Sequence, residues 1–481
     1  MRAELLLAAS ESAEHAAHGA AAVPGWVTGL FTLILVLMIA ALAFEEKLHA
    51  KKSIIVGSFA GLCLILETIL GSVLGQRLLP FGLVELPNGH EIELPVYIPA
   101  IDWGVITIIL GASLFVEVTS RSGVFSWMAI RLTRKSGGDP WKLLLAYGVL
   151  TVLFSAVLNN VTAMIIIGSL TTVSLKKLRR DDLLLGFLLV EGLLTNVGGL
   201  LTLISSVPNI IVGKTAGISF VQFFLVAAPY VVVATAATLL MGRYRFGIHS
   251  LKTDEERAEA RALVESFDEN EGIGSSRFFW FSVGALAMFI VCLAGLEAMP
   301  LNLPALGMGF VALFFAGVVL LAYRHDVDRF YSAVDWDLLA FFAALFVVIN
   351  VMEHAEVLAL IGRGIAAVTT MPDMLASTVL LSASAVASSV TDNIPLAAML
   401  AKILASPGMQ TPSDSPLWWC VIFGANLGGN ITPIGSASTV VAMTIIHRNE
   451  LPLSFVGFVK ASVPFAAVQI VLATVYVLIA V

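Results

Sequence analysis

Four carboxylates lie in or near long apolar stretches of this 481-residue chain: Glu67, Glu117, Glu191 and Asp392. A charge at the bilayer centre costs about 2.5–3.5 kcal/mol on insertion scales, so each of them needs a use. Neutral polar residues gather in the same kind of stretch. Asn159, Asn160 and Thr162 interrupt one apolar run, and Thr391, Asp392 and Asn393 interrupt another. Asn196, Gly198, Gly199, Thr202, Ser205, Ser206, Pro208 and Asn209 break a third; Asn426, Gly428, Gly429, Asn430, Thr432 and Ser436 break a fourth. Amides, hydroxyls and backbone carbonyls freed by a break suit Na⁺ or a polar anion. The same small residues also let membrane helices pack closely, and a single Ser or Thr among them reads first as packing. The matched Asn160 and Asn393 read as functional. Asp392 is the first candidate for holding a coupling H⁺ or Na⁺ and Glu191 the second, whereas Glu117 and Glu67 read as structural.

Little else in the sequence offers chemistry. The eight histidines lie in loops or near the ends of apolar runs, without metal-ligand spacing. There is no nucleotide-binding loop and no nucleophile–base motif. Cys63, Cys292 and Cys420 are scattered through hydrophobic stretches and read as small buried apolar residues. The expectation is therefore no enzyme, no metal site, and no cofactor beyond Na⁺ or H⁺ as coupling ion.

The elements that position these residues come in two copies. AIDW (100–103) recurs as AVDW (333–336), and LNNVT (158–162) faces TDNIP (391–395) at the same offset of 233. TNVGGLLTLISSVPN (195–209) faces ANLGGNITPIGSAST (425–439) at an offset of 230. Three matched blocks in one order imply an internal duplication of about 200 residues per half. Asn, Gly and Pro inside duplicated apolar segments point to a membrane transporter.

Composition agrees. The chain is 58% hydrophobic and 13% charged. Apolar windows at 26–44, 54–75, 103–120, 220–241, 278–297, 304–323, 336–352 and 453–481 are long enough, or nearly so, for a hydrocarbon core of about 30 Å. The net charge of −7 gives no support for nucleic-acid binding. Residues 1–25 read as a retained mobile leader, 26–241 as the first transmembrane half, 242–277 as a solvated cytoplasmic linker and 278–481 as the second half.

Arg and Lys mark the cytoplasmic side. Arg121, Arg131, Arg134, Lys135 and Lys142 precede the apolar stretch around Asn159-Asn160, and Lys176, Lys177, Arg179 and Arg180 follow it. A single crossing would put one basic cluster outside. A re-entrant hairpin over 141–175, with the Asn pair at its tip, keeps both inside. Non-helical backbone at membrane depth is tolerated where protein or a watery cavity covers it. The segment 182–213 then crosses as a broken helix. The second half repeats the pattern with a hairpin at 373–410 and a broken helix at 416–447, and an odd number of crossings between the copies inverts it. The expected fold is an all-α polytopic membrane protein of about ten crossings and two hairpins, built as an inverted repeat.

FSAVLNNVT (154–162), EGLLTNVGGLLTLISSVPNIIVGKTAGISF (191–220), SSVTDNIP (388–395) and GANLGGNITPIGSAS (424–438) resemble the hairpin tips and broken helices of one superfamily. It joins arsenite permeases, sodium–proton antiporters and the melanosomal P-protein, and is related to citrate and dicarboxylate transporters. The likeness runs from FEEKLH (44–49) to the end of the chain. It implies an elevator mechanism, in which residues 141–213 and 373–447 form a mobile domain that slides against a scaffold, and the scaffold commonly dimerises. It also implies a multi-pass protein, here of a bacterial cytoplasmic (inner) membrane. The implied activity is secondary active transport of a small inorganic or organic anion, arsenite-like or a small carboxylate, driven by Na⁺ or H⁺. A Na⁺/H⁺ antiporter is the alternative, and an ion channel a remote one. Two positions depart from the family pattern. The first tip has Asn159 where Asp is frequent, and Ser205-Ser206 replace a Gly-Asp pair, so two carboxylates are absent. One prediction follows from the charges. Cysteine probes near Lys142 and near Lys177 react from the same, cytoplasmic face, and labelling from opposite faces would remove the first hairpin.

Overall fold

The computed structural model describes residues 23–74, 83–85, 90–95, 97–270, 272–300, 303–332 and 334–481. Residues 1–22 of the expected leader, and Arg77 with much of the loop after residue 74, lie outside the described residues. Helix dominates. Among the described residues the only strands are two three-residue ones, β1 (Leu83–Glu85) and β2 (Glu91–Glu93), paired antiparallel.

The helices used below are α1 (Gly25–Ala43), α2 (Lys52–Leu74), α3 (Trp103–Arg121), α4 (Val124–Ser136), α5 (Pro140–Val157) and α6 (Asn160–Lys177). They continue with α7 (Leu184–Gly198), α8 (Val207–Ala216), α9 (Phe220–Arg245), α10 (Asp254–Glu265), α11 (Ser276–Gly295) and α12 (Gly307–Ala322). The rest are α13 (Trp336–His354), α14 (Val357–Thr369), α15 (Asp373–Ser388), α16 (Asn393–Ala405), α17 (Pro416–Gly428), α18 (Ala437–Arg448) and α19 (Phe455–Ala480). Nine helical segments among the described residues are long and apolar enough to cross a membrane. One of them, α5, is the first arm of a hairpin, and the others coincide with the continuous apolar runs of the sequence.

The described residues divide into two compact units, those within 1–101 with 343–361, and those within 102–342 with 362–481. In the first, α1 packs on α2. The second holds both hairpins and both broken helices. The units do not coincide with the two sequence halves.

Local sequence explains the ends of the repeated elements. Asp102 and Asp335, the acids of AIDW and AVDW, cap α3 and α13 by accepting from Val105 N (3.2 Å) and Leu338 N (3.0 Å). Asn159 caps α6 by accepting from Thr162 N at 2.8 Å, and Asp392 caps α16 by accepting from Ile394 N at 3.0 Å. These caps stop one arm and start the next, which makes the hairpin tip. α7 stops at the Gly198-Gly199 pair, and Pro208 sits in the first turn of α8, where its missing N–H costs nothing. In the second half Ser436 and Thr439 form a reciprocal capping pair at the start of α18.

The structure extends the duplication beyond the blocks visible in sequence. α4 and α14 have bounds 233 residues apart at both ends, and α9 and α19 are both 26 residues long, begin after a serine cap and contain one proline, Pro229 or Pro464. Packing obeys the same exchange. α7 packs on α5, α6 and α9, and α17 packs on α15, α16 and α19. The second piece of each broken helix crosses to the other half: α8 lies against α16 and α17, and α18 against α6 and α7.

Glycine makes the closest of these contacts. A Cβ at Gly198 would come within 2.7 Å of Val152 Cα and 2.8 Å of Val152 O on α5. At the repeat mate, Gly428, it would collide with the Ala385 carbonyl of α15. Overpacking of this kind costs roughly 1–3 kcal/mol. Gly428→Ala therefore lowers the unfolding temperature of the purified protein, whereas Gly284→Ala, which meets nothing within 4 Å on α11, does not. Equal thermal stability of the two variants would contradict this packing.

Candidate functional site

Each hairpin is fastened to its broken helix by the same two hydroxyls. In the first half Ser155 Oγ lies 2.6 Å from the Thr195 carbonyl, and Thr202 Oγ1 donates to the Ala156 carbonyl at 2.5 Å. In the second, Ser388 Oγ donates to the Ala425 carbonyl at 2.6 Å and Thr432 Oγ1 to the Ser389 carbonyl at 2.5 Å. Four chain breaks would otherwise leave carbonyls bare in an apolar surrounding. Ser155 also lies 2.6 Å from Asn160 Oδ1, and its one hydrogen serves one acceptor at a time.

The halves are joined through asparagines. Asn196 Nδ2 donates to Asn430 Oδ1 (2.8 Å) and Ser436 Oγ (2.9 Å), and its Oδ1 accepts from Ser438 Oγ (3.1 Å) and Asn160 Nδ2 (3.3 Å). Its repeat mate Asn426 accepts from Ser206 Oγ (2.7 Å) and donates to Asn209 Oδ1 (2.9 Å) and the Ile422 carbonyl (2.8 Å). Asn209 Nδ2 donates to the Gly199 and Thr202 carbonyls at 2.7 and 3.1 Å, and Ser205 Oγ reaches the same two carbonyls at 2.5 and 2.7 Å. Asn430 Nδ2 donates to the Leu193 carbonyl at 3.1 Å and to Gln469 Oε1 at 2.8 Å, and Gln469 Nε2 donates to Thr238 Oγ1 at 2.9 Å.

This divides the sequence-named residues into two groups. Asn196, Asn209, Asn426 and Asn430 are each 0% exposed. Their amides are engaged inside the protein, as are the hydroxyls of Thr202, Ser205, Ser206 and Thr432. The asparagines and Ser206 lock the two broken helices together, whereas Thr202, Ser205 and Thr432 hold each break within its own half. Gly199 belongs here too, since a Cβ there would meet the Asn160 amide at 2.6 Å, and so does Gly429, where a Cβ would stand 2.9 Å from Ser436 Cβ. Asn160, Thr162, Thr391, Asp392 and Asn393 are half-buried at the tips, and Asn159 is exposed. A cavity of about 50 Å³ opens beside the first tip and break, lined by Asn159, Ser205, Val207 and Ile210 against Ile109 and Ser113 of α3. Such a space has room for a water-sized ligand.

The carboxylates also separate. Glu117 forms an i,i+4 ion pair with Arg121 at 2.6 Å on α3. Asp392 is an N-cap, next to the partial positive charge of a helix N-terminus. Glu67 is buried on α2, in the other compact unit. Glu191 is fully buried on α7; its Oε1 accepts from Thr171 Oγ1 of α6 at 2.6 Å, and its Oε2 has no hydrogen-bond partner among the described residues. Beside Thr171 on α6, Ser174 meets the Tyr147 hydroxyl at 2.7 Å, and Tyr147 meets Thr133 Oγ1 at 2.7 Å.

Sequence reasoning missed Ser155, Ser388, Ser438, Gln469, Thr238 and Thr171. Extending the aligned blocks by three residues pairs Ser155 with Ser388, so those two were within reach. Gln469 and Thr238 stand alone in long apolar helices, where one polar residue gives no pattern.

The chain matches the model of a family described as citrate transporters over residues 33–424. An uncharacterized transporter of Mycobacterium bovis is 31% identical over 380 residues, covering 78% of this chain and 86% of that one. The 46 kDa membrane protein of Mycobacterium leprae is 30% identical with the same coverage. The human P protein is 26% identical over 513 residues, 92% of this chain and 58% of that one. Among solved structures, the YdaH transporter of Alcanivorax borkumensis aligns with a TM-score of 0.57 at 15% identity, covering 89% of this chain and 98% of that one. At that identity the likeness is one of fold. The family match over most of the chain, with transporters among its relatives, agrees with the spans and broken helices: the chain belongs to the citrate transporter family and is a multi-pass membrane transporter.

Proposed function

We propose that the protein is a secondary active transporter of a small anion, with a small carboxylate as the first candidate, coupled to Na⁺ or H⁺. The observation that carries this reading is the pair of hairpin tips, related by the repeat and set beside two broken helices. Each tip presents the N-terminus of a helix, at Asn160 and at Asn393; the first is capped by the neutral Asn159 and the second by the carboxylate of Asp392, with amides and hydroxyls around both. Helix N-termini attract anions, and amide and carbonyl oxygens coordinate a small cation. The family description favours a carboxylate over an arsenite-like oxyanion. Coupling by elevator motion fits the packing, because α5–α8 and α15–α18 are interlocked by side-chain bonds and close glycine contacts. A dimer through the remaining helices completes the proposal.

A Na⁺/H⁺ antiporter is the second reading, and Glu191 favours it. A carboxyl buried among the hairpin and broken helix, with one oxygen unengaged, is the kind of group that takes up and releases a proton.

Proteoliposome uptake separates these readings. Citrate, succinate, arsenite, sulfate and Na⁺ are offered with and without imposed Na⁺ and pH gradients. Gradient-driven citrate or succinate uptake is expected. Proton-linked Na⁺ flux without any anion uptake would favour the antiporter, and passive flux alone would overturn both.

The tips and the buried amides respond differently to substitution. Asn393→Ala reduces uptake at least tenfold and leaves the unfolding temperature nearly unchanged. Asn426→Ala strips a partner from buried Ser206 and Asn209, at about 1–3 kcal/mol for each group left unsatisfied, and lowers the unfolding temperature clearly. Normal uptake in Asn393→Ala would remove the tips from the site.

Coupling is assigned by two further variants. Glu191→Gln keeps an acceptor for Thr171 but not a titratable group. If Glu191 holds the coupling proton, the variant loses pH-gradient dependence and retains substrate exchange. If Asp392 holds it, that phenotype belongs to Asp392→Asn. Wild-type gradient dependence in both would exclude both carboxyls.

A further inference from the structure

The polar segment between the halves does not hang free of the membrane helices. It folds back on the corner between α4 and α5. Leu251 N donates to Asp139 Oδ2 at 3.1 Å, Val264 of α10 is buried, and Ala260 packs against Gly138, where a Cβ would stand 2.8 Å from Ala260 Cβ. Between α10 and the corner lies a cleft of about 470 Å³, a volume within the range of about 300–1,000 Å³ common for small-molecule sites.

The charges around this cleft are mismatched. Arg134, Lys135 and Lys142 line it from the corner, and Arg257 and Arg261 from α10. Three carboxylates face them. Asp139 spends its two oxygens on the backbone N–H groups of Lys142 and Leu251, and Glu269 pairs with Arg134 at 3.0 Å. Glu265 makes no ion pair among the described residues. Arg257 is held by Asp254 at 3.1 Å and by the Leu251 carbonyl. Lys135, Lys142 and Arg261 have no ion-pair partner among the described residues.

Basic loop charge alone explains the corner, since cytoplasmic loops gather Lys and Arg. It does not explain α10. That helix is acidic, with Asp254, Glu255, Glu256, Glu259 and Glu265 against Arg257 and Arg261. An acidic helix docking on a basic corner gains most by presenting its acids. This one presents both of its arginines and only one of its five acids, Glu265, and like charges brought together destabilise the arrangement. An anion in the cleft removes the conflict. Arg and Lys side chains converging from two separate elements suit phosphate, whose oxygens accept several charge-assisted hydrogen bonds at once.

We infer that the cleft between α10 and the α4–α5 corner is a binding site for a phosphate-bearing anion, either a free phosphorylated molecule or the headgroup of an acidic phospholipid. Its occupant ties α10 to Lys142 in the first turn of α5, at the root of the first hairpin. The inference is independent of what is transported and of the coupling ion.

Thermal unfolding of the full chain tests it, with inorganic pyrophosphate as the probe at constant ionic strength. The protein is measured in neutral detergent, in nanodiscs of neutral phospholipid and in nanodiscs containing acidic phospholipid. A saturable rise in unfolding temperature is expected in detergent and in neutral nanodiscs. The Lys135→Gln, Arg261→Gln double variant changes two exposed side chains, and it should need at least tenfold more pyrophosphate. Arg277→Gln, an exposed cation outside the cleft, should respond as wild type. A rise that persists in acidic nanodiscs identifies a free phosphorylated ligand, and one abolished there identifies the lipid headgroup. Absence of a saturable rise in detergent and neutral nanodiscs, or an equal rise in wild type and double variant, would overturn the site.

Discussion

A helix that breaks inside a membrane must find partners for the backbone groups it frees, because lipid offers none. Most of this fold is arranged around that requirement. Thr202 and Thr432 each send a hydroxyl to a carbonyl at the end of a hairpin arm, and Ser155 and Ser388 approach carbonyls of the broken helices. Asn209 bonds two carbonyls of the break before it. These bonds hold only at short range, so the backbones must approach closely, and Gly198 and Gly428 make that approach possible.

The same requirement explains why most of the conspicuous polar residues are fully enclosed. An amide that satisfies the backbone, or another amide that does, has no free valence for a ligand. Asn196 and Asn426 use both ends of their amides in bonds across the repeat. The polar groups left over lie at the tips and in the small cavity against α3. Enclosed and half-buried polar groups are adjacent here, since half-buried Asn160 bonds enclosed Asn196.

The sequence announces this architecture where polarity interrupts hydrophobicity. Asn159-Asn160, Thr391-Asp392-Asn393 and the two Gly-Gly breaks are legible because apolar runs rarely contain them. AIDW and AVDW are legible as a repeat, and the structure adds the capping role of Asp102 and Asp335. Other elements leave weaker traces. α4 and α14 are repeat mates with little sequence in common, VFSWMAIRLTRKS against VLALIGRGIAAVT, and their equivalence is positional. α9 and α19 share a serine cap and a proline at an offset of 235 rather than 233 or 230, so insertions between blocks hide the match. Nor does pattern separate buried from presented amides. Asn196 and Asn160 are the same residue type in similar surroundings, and the first of them is met by Asn430, Ser436 and Ser438 of the other half. The folding of the polar linker onto the membrane helices leaves no periodic signal, because it rests on scattered apolar residues, Ile248, Val264 and Phe267, a close glycine contact, one ion pair and an aspartate cap.

The bonds that join the halves have a bearing on how the protein is made. Asn196 is 234 residues from Asn430 and 240 from Ser436, and Asn426 is 217 from Asn209. At about 5–20 residues per second, the first half waits about 10–50 s for its counterpart to leave the ribosome. Throughout that interval α7 and α8 lack the partners that complete them, in a solvent that supplies no substitutes. A nascent chain in this condition needs the aqueous interior of the insertion machinery, or a temporary partner helix, to shield its first break. Biogenesis is then the stage at which this fold is most exposed to error, and variants at the asparagine pairs would show first as lost yield.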